Sequence, residues 1–203
     1  MNIVIIDYGM GNIGSIRNML GKAGTQAIIS SQIEVIQQAQ KLILPGVGAF
    51  DEGMKNLKEY NLIDILNKKV LEEKTPILGI CLGMQLFSSH SQEGMKPGLN
   101  WLNAQTIKFI PQNNRKIPHM GWNTIEIRKK NPILDGLPQD SRFYFVHSYH
   151  VVCAHEEDVL AVTSYHGDFV SALHKGNIWG TQFHPEKSHR FGLKLLSNFV
   201  NNI

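Results

Sequence analysis

Cys81 stands between two glycines in Gly79-Ile80-Cys81-Leu82-Gly83, at the end of the apolar run 75–80 (TPILGI). A buried strand, a glycine-flanked nucleophile and a following helix make a nucleophile elbow, here with sulfur in place of a hydroxyl. Small residues at 79 and 83 permit the sharp turn, because larger side chains would meet the neighbouring strand or helix. The turn presents Sγ at the carboxyl end of the sheet, where open α/β sheets place their sites. It also sets Cys81 at a helix N-terminus, where free N–H groups and the macrodipole favour a thiolate. The Leu82 N–H then points to where an oxyanion would form in acyl transfer. A lone cysteine more often is simply a buried side chain. The glycines on both sides and the strand–helix context favour the nucleophile.

A nucleophilic thiol needs a base, and the base needs an orienting group. In IWGTQFHPEKS, residues 178–188, an apolar run ends in His184-Pro185-Glu186. Residues two apart in an extended chain point the same way, and Pro185 biases His184 toward an extended conformation. Glu186 can then accept the Nδ1–H of His184 and leave Nε2 to face the thiol. The alternative is a plain surface histidine at a strand end. The other eight histidines (90, 119, 147, 150, 155, 166, 174 and 189) lack so constrained a carboxylate. No His/Cys/Asp spacing suggests a metal site, so neither metal nor cofactor is expected.

A second oxyanion donor is available in LPGVGAF, residues 44–50, which follows another apolar run. Gly46 and Gly48 flank Val47 and let that peptide turn an N–H toward the site; an ordinary strand–helix loop is the other reading. The glycines of IIDYGMGNIG, residues 5–14, have the G-x-G-x-x-G spacing of a dinucleotide turn. Such a site wants an acidic residue about 20 positions on, at the end of the second strand. That strand ends in Ser30-Ser31, so the glycines are read instead as a tight turn exposing Asn12 and Arg17.

These segments need a frame. Runs at 2–7, 26–30, 41–44 and 75–80 read as strands, those at 2–7 and 75–80 buried. Helical periodicity lies between them, over 12–23, about 32–39 and from about 50 to 73. Strands alternating with helices predict a parallel sheet covered on both faces. The second half has alternating or apolar segments near 105–110, 122–128, 142–147, 159–164, 169–174 and 177–183. These predict antiparallel strands extending the sheet. A last helix is expected over 188–202, with Ser188 as its cap. The fold class is therefore α/β, an open mixed sheet with parallel central strands, helices on both faces and an antiparallel C-terminal extension. No repeat, low-complexity tract or linker divides the 203 residues, so one domain is expected.

Composition excludes several functions. A net charge of +3, with no basic cluster beyond Arg128-Lys129-Lys130, gives no reason to expect nucleic acid. No apolar run approaches the roughly 20 residues of a membrane span, and no secretion signal is visible. Two cysteines in no framework spacing suit a reducing compartment. The expected address is the cytoplasm.

PGVGAF, GICLGMQ, PHMGWN, YFVHSY and FHPEKS, in that order over essentially the whole chain, closely resemble the class I, triad-type glutamine amidotransferases. The resemblance is to their branch in histidine biosynthesis, and it implies a flavodoxin-like core of that family. It implies that Cys81 attacks the side-chain amide of L-glutamine, His184 shuttles the proton and Glu186 holds His184. A glutamyl thioester forms, ammonia leaves and water releases glutamate. Val47, Gly48 and Leu82 would form the oxyanion hole. Gly46, Gln85 and the main chain at Ser148 and Tyr149 would bind glutamine. Ammonia would pass through a channel into a (β/α)8-barrel cyclase, the partner in a heterodimer that makes imidazole glycerol phosphate. Asn12, Arg17, His119, Met120, Trp122, Tyr144 and Lys187 match positions expected near that interface, with Met120 and Trp122 on a loop as anchors.

Two other readings remain open at this level. The same glutaminase chemistry could feed a sugar amidotransferase in surface-polysaccharide synthesis, since GLNWL departs from the GLGL-like segment expected for histidine synthesis. A cysteine peptidase or thiol stress protein could use the same elbow.

Overall fold

The first apolar run forms β1 (Ile3–Ile6), buried along its whole length because neighbours cover both of its faces. Ile3 and Ile5 point into one core and Val4 and Ile6 into the other, as the two-residue period of a strand requires. The computed structural model describes residues 2–111 and 116–203. In it, α1 (Ile13–Lys22), β2 (Ala27–Ser30), α2 (Ile33–Gln37), β3 (Lys41–Leu44), α3 (Phe50–Glu59) and α4 (Ile63–Asn67) follow in order. The helical pattern expected to run unbroken to residue 73 is interrupted. Asn61 adopts φ 55° between α3 and α4, and α4 runs into a π-helical turn over Lys68–Glu72.

Next come β4 (Ile77–Ile80) and α5 (Leu82–Gln85), then β5 (Ala104–Lys108), β6 (His119–Thr124), β7 (Glu126–Ile127), β8 (Arg142–His147) and β9 (Tyr149–Cys153). The chain closes with β10 (Val159–Ser164), β11 (Asp168–Lys175), β12 (Ile178–Thr181) and α6 (His189–Asn202). The main sheet has the order β2-β1-β3-β4-β12-β11-β10-β7. Its first five strands are parallel, and β11, β10 and β7 extend it antiparallel. One face packs against α1 and α6 through Ile16, Leu20, Leu195 and Phe199. The other packs against α2 to α5 through Ile36, Leu57, Leu66 and Met84.

The second half differs from its expected form in two respects. β12 joins the sheet parallel to β4, with Thr181 opposite Ile80. β5 and β9 pair with each other, as do β6 and β8, in separate two-stranded antiparallel ribbons. Strand periodicity does not state a strand's partner, so a ribbon beside the sheet and an added sheet strand read alike.

Candidate active site

β4 and β12 run side by side in the same direction, so the residues leaving both strands emerge at one edge of the sheet. That adjacency brings Cys81 and His184 together across about a hundred residues of chain. Cys81 sits at φ 53°, ψ −108°, the strained conformation of a nucleophile elbow. Gly83 must be glycine: a Cβ there would lie 1.9 Å from the Leu44 carbonyl oxygen. Gly46 is also tight, though less so, since its Cβ would lie 2.8 Å from both Leu82 Cβ and Tyr8 Oη. The elbow and the PGVG loop thus fit directly against each other. Gly11 belongs to the same contact, its absent Cβ leaving room for Pro45; the N-terminal glycines let a turn pack on the site. Gly83→Ala should destabilise the fold by at least about 3 kcal/mol, the upper range for overpacking, because the opposing atom is rigid backbone. Urea denaturation of the variant checks this.

The helix expected after Cys81 is a single turn, Leu82–Gln85. Local donors therefore matter more at the sulfur than a macrodipole. Gln182 Nε2 approaches Sγ at 3.6 Å, and Cys81 N–H donates to Thr181 O at 2.7 Å. Gln182 is fully buried and was not singled out from the sequence. Its place two residues before His184, on the same side of an extended segment, was the available signal.

His184 Nδ1 lies 2.9 Å from Glu186 Oε1, and both side chains are buried. Nε2 is buried and makes no conventional hydrogen bond among the described residues. Burial alone would depress the His184 pKa. The charge of the Cys81 sulfur, its action as acceptor and the Glu186 carboxylate outweigh burial and push it up to about 10. The main chain is fixed too, with His184 N–H donating to Tyr144 O at 2.9 Å. Ser188 does not cap α6 with its side chain. Its hydroxyl instead donates to His184 O at 2.6 Å and accepts from Tyr144 N–H at 3.0 Å.

A cavity of about 170 Å³ opens beside the sulfur. It is below the roughly 300–1,000 Å³ of drug-sized pockets, and it suits an amino acid better than a dinucleotide. Val47, Gly48, Cys81, Leu82, Gln85 and Val146 to Tyr149, His147 among them, line it together with Glu93. Val47 is exposed and Gly48 has φ 116°, while Gly46 lies buried behind them. Gln85 Nε2 donates to Tyr149 O at 3.0 Å and to Gln182 Oε1 at 3.2 Å. Glu93 also was not anticipated from the sequence. Burial pushes its pKa up, against the Phe50 N–H that its carboxylate accepts. Nothing in the local sequence around 93 marks it, because only the folding of its loop onto α3 brings it there.

Met120 and Trp122 project from β6, not from a loop, and both are exposed. Trp122 stacks flat on His189 at 5.3 Å and meets Tyr144 edge-on, and Lys187 Nζ lies 5.7 Å over the Tyr144 ring. Arg17 is exposed and Asn12 half-buried at the start of α1. His119 is buried, its ring turned inward from the face that carries Met120 and Trp122. Among the described residues, no group of three or more His, Cys, Asp or Glu is placed to hold a metal ion.

The glutamine amidotransferase class-I family model matches residues 4–203. The chain is 59% identical over 198 residues to imidazole glycerol phosphate synthase subunit HisH 2 of Methanococcus maripaludis, covering 98% of each protein. It is 48% identical over 198 residues to the protein of the same name from Pseudomonas aeruginosa, again with 98% of each covered. Among solved structures, it is similar in fold to PurLQS from Thermotoga maritima, with TM-score 0.71 at 14% identity, covering 99% of this chain and 98% of that one. A glutamine amidotransferase from the same organism gives TM-score 0.65 at 17% identity, covering 100% and 83%.

Proposed function

From the premise that the chain belongs to the glutamine amidotransferase class-I family, we propose that it is the glutaminase subunit of imidazole glycerol phosphate synthase in histidine biosynthesis. The 2.9 Å contact of His184 with Glu186, beside the Cys81 sulfur in a small cavity, carries the chemical part. The full-length relatives at 59% and 48% identity carry the pathway part. They favour it over a polysaccharide partner, and the family match disfavours a peptidase or stress protein.

In this reading one domain binds L-glutamine in the cavity. Glu93 supplies the negative charge that an α-ammonium group needs. Gln85 Oε1 accepts from the same ammonium group, and Gly46 with the main chain at Ser148 and Tyr149 holds the rest of the amino-acid backbone. Cys81 Sγ attacks the side-chain amide, and the developing oxyanion is held by the N–H of Leu82 and of the Val47–Gly48 segment. His184, carrying its proton opposite the sulfur, gives it to the leaving ammonia, and Glu186 keeps the imidazole aligned. His184 then takes a proton from the water that cleaves the thioester.

Ammonia passes through a channel to a (β/α)8-barrel cyclase in a heterodimer. The exposed face of Met120, Trp122, Tyr144 and Lys187, with Asn12, Arg17 and the nearby His119, is the proposed docking surface. An exposed aromatic rimmed by cations is the composition of an interface anchor. A cytoplasmic address belongs to the same proposal; no helix among the described residues is long and apolar enough to cross a membrane.

The test is glutamate release with and without the cyclase and its nucleotide. The isolated chain should turn over glutamine slowly. The complex with ligand should be faster by more than about tenfold, a shift in the population of the donating Val47 conformation. Equal turnover in both states counts against the proposal, as does failure of glutamine to yield imidazole glycerol phosphate in the complex.

A further inference from the structure

In the wall of the substrate cavity and just behind it lies a buried histidine pair that the triad does not use. His119 on β6 is directly opposite His147 on β8, and both rings face inward. His147 Nδ1 lies 2.8 Å from Tyr149 O and its Nε2 lies 3.1 Å from His119 Nδ1. A carbonyl oxygen can only accept, so His147 carries its proton on Nδ1. Burial, helped by repulsion from His119, His150 and His184, outweighs the favourable Tyr149 carbonyl and holds the His147 pKa well below the ordinary histidine value. A neutral ring with Nδ1–H has a bare Nε2, and His119 Nδ1 must therefore be the donor to it.

The polarity continues past Tyr149. Its carbonyl also accepts from Gln85 Nε2, whose second hydrogen goes to Gln182 Oε1. Gln182 in turn directs Nε2 at Cys81 Sγ. Both hydrogens of the Gln85 amide are thus consumed inside the protein, and Gln85 Oε1 accepts from no described residue. Gln85 lines the cavity and offers the ligand an acceptor only.

We propose that His147, fixed in its Nδ1–H tautomer by the His119 donor, is a positioning residue for glutamine recognition. It pins the Tyr149 carbonyl and thereby orients the Gln85 amide with Oε1 toward the ligand. This rests on the glutaminase reading for its substrate, whereas the tautomer and the direction of the hydrogen bonds do not. The hydrogen bonds of His147 go to Tyr149 and His119 and not to Cys81 or His184, so its loss falls on substrate affinity and not on thiol chemistry.

Two measurements on the chain in complex with its cyclase test this. Imidazole nitrogen NMR, with His147→Asn used to assign the signal, should show His147 protonated at Nδ1 and bare at Nε2 near neutral pH. The opposite tautomer, or an imidazolium, overturns the proposal. In steady-state kinetics, His147→Phe should raise the KM for glutamine about tenfold, as for loss of a buried hydrogen bond, with kcat within about twofold. His147→Asn keeps a donor near the Nδ1 position and should restore most of the affinity. An unchanged KM in His147→Phe overturns the proposal, and so does a loss confined to kcat. An absence of glutamine turnover in the wild-type complex would instead sink the glutaminase reading, and the NMR result would still decide the tautomer.

Discussion

Cys81→Ser should lower glutamine-dependent turnover of the complex at least about a thousandfold, because a hydroxyl at this position is a far weaker nucleophile than a thiol. The substitution exchanges one side-chain heavy atom for a slightly smaller one, and serine can occupy the same strained turn. Thermal unfolding should therefore stay close to that of the unaltered protein. The cyclase reaction should still proceed when ammonia is added directly, since the barrel would no longer depend on Cys81. Retention of glutamine turnover in this variant would remove the nucleophile from the mechanism. Loss of the ammonia-dependent reaction would show that the substitution disturbs the assembly and not only the chemistry.

The second large effect is expected at Glu186. Its carboxylate partners His184 Nδ1, and the two are 2.9 Å apart in a buried site. Glu186→Gln keeps the shape but removes the charge that favours imidazolium and the constraint that fixes the tautomer. Comparable losses in catalytic triads run to about 10²–10⁴-fold in kcat, and that range is expected here. The pH profile adds a signature that a packing defect would not give. His184 is pushed up from 6.5 to about 10, so the basic limb of kcat/KM should lie near pH 10 and move toward neutrality in Glu186→Gln. The stability linkage has a definite sign. A folded-state value above the unfolded one means the interaction is fully present below about pH 6.5 and is lost as pH rises through about 10. Denaturation midpoints across that window should fall with pH, and less steeply in the variant. A basic limb unmoved by the substitution would show that Glu186 does not set the protonation of His184.

The first half of the fold was readable because β1, β3 and β4 are buried on both faces, and β2, the half-exposed edge strand, is still an apolar β-branched run. Runs such as IVII and KLIL stand out as unbroken apolar segments between amphipathic helices. The second half was not, for a reason visible in β9. Tyr149–Cys153 has a buried centre with half-exposed neighbours, and its tyrosine and histidine hide any clean alternation. Pairing is also a long-range property: β5 finds β9, and β6 finds β8, across stretches that carry no local record of the partner.

The same division runs through the site. Local covalent neighbourhood alone determined the elbow around Cys81 and the pairing of His184 with Glu186, because both depend on residues within two positions of each other. Tertiary structure alone decided that β12 lies parallel beside β4, which is what delivers the imidazole to the sulfur. It also decided that Gln182, Glu93 and the His119–His147 pair surround the cavity. Short-range geometry is fixed by dihedral preferences that each residue carries with it. Contacts between distant segments are fixed by which faces of the sheet and ribbons can be buried together, and no short window of sequence contains that choice.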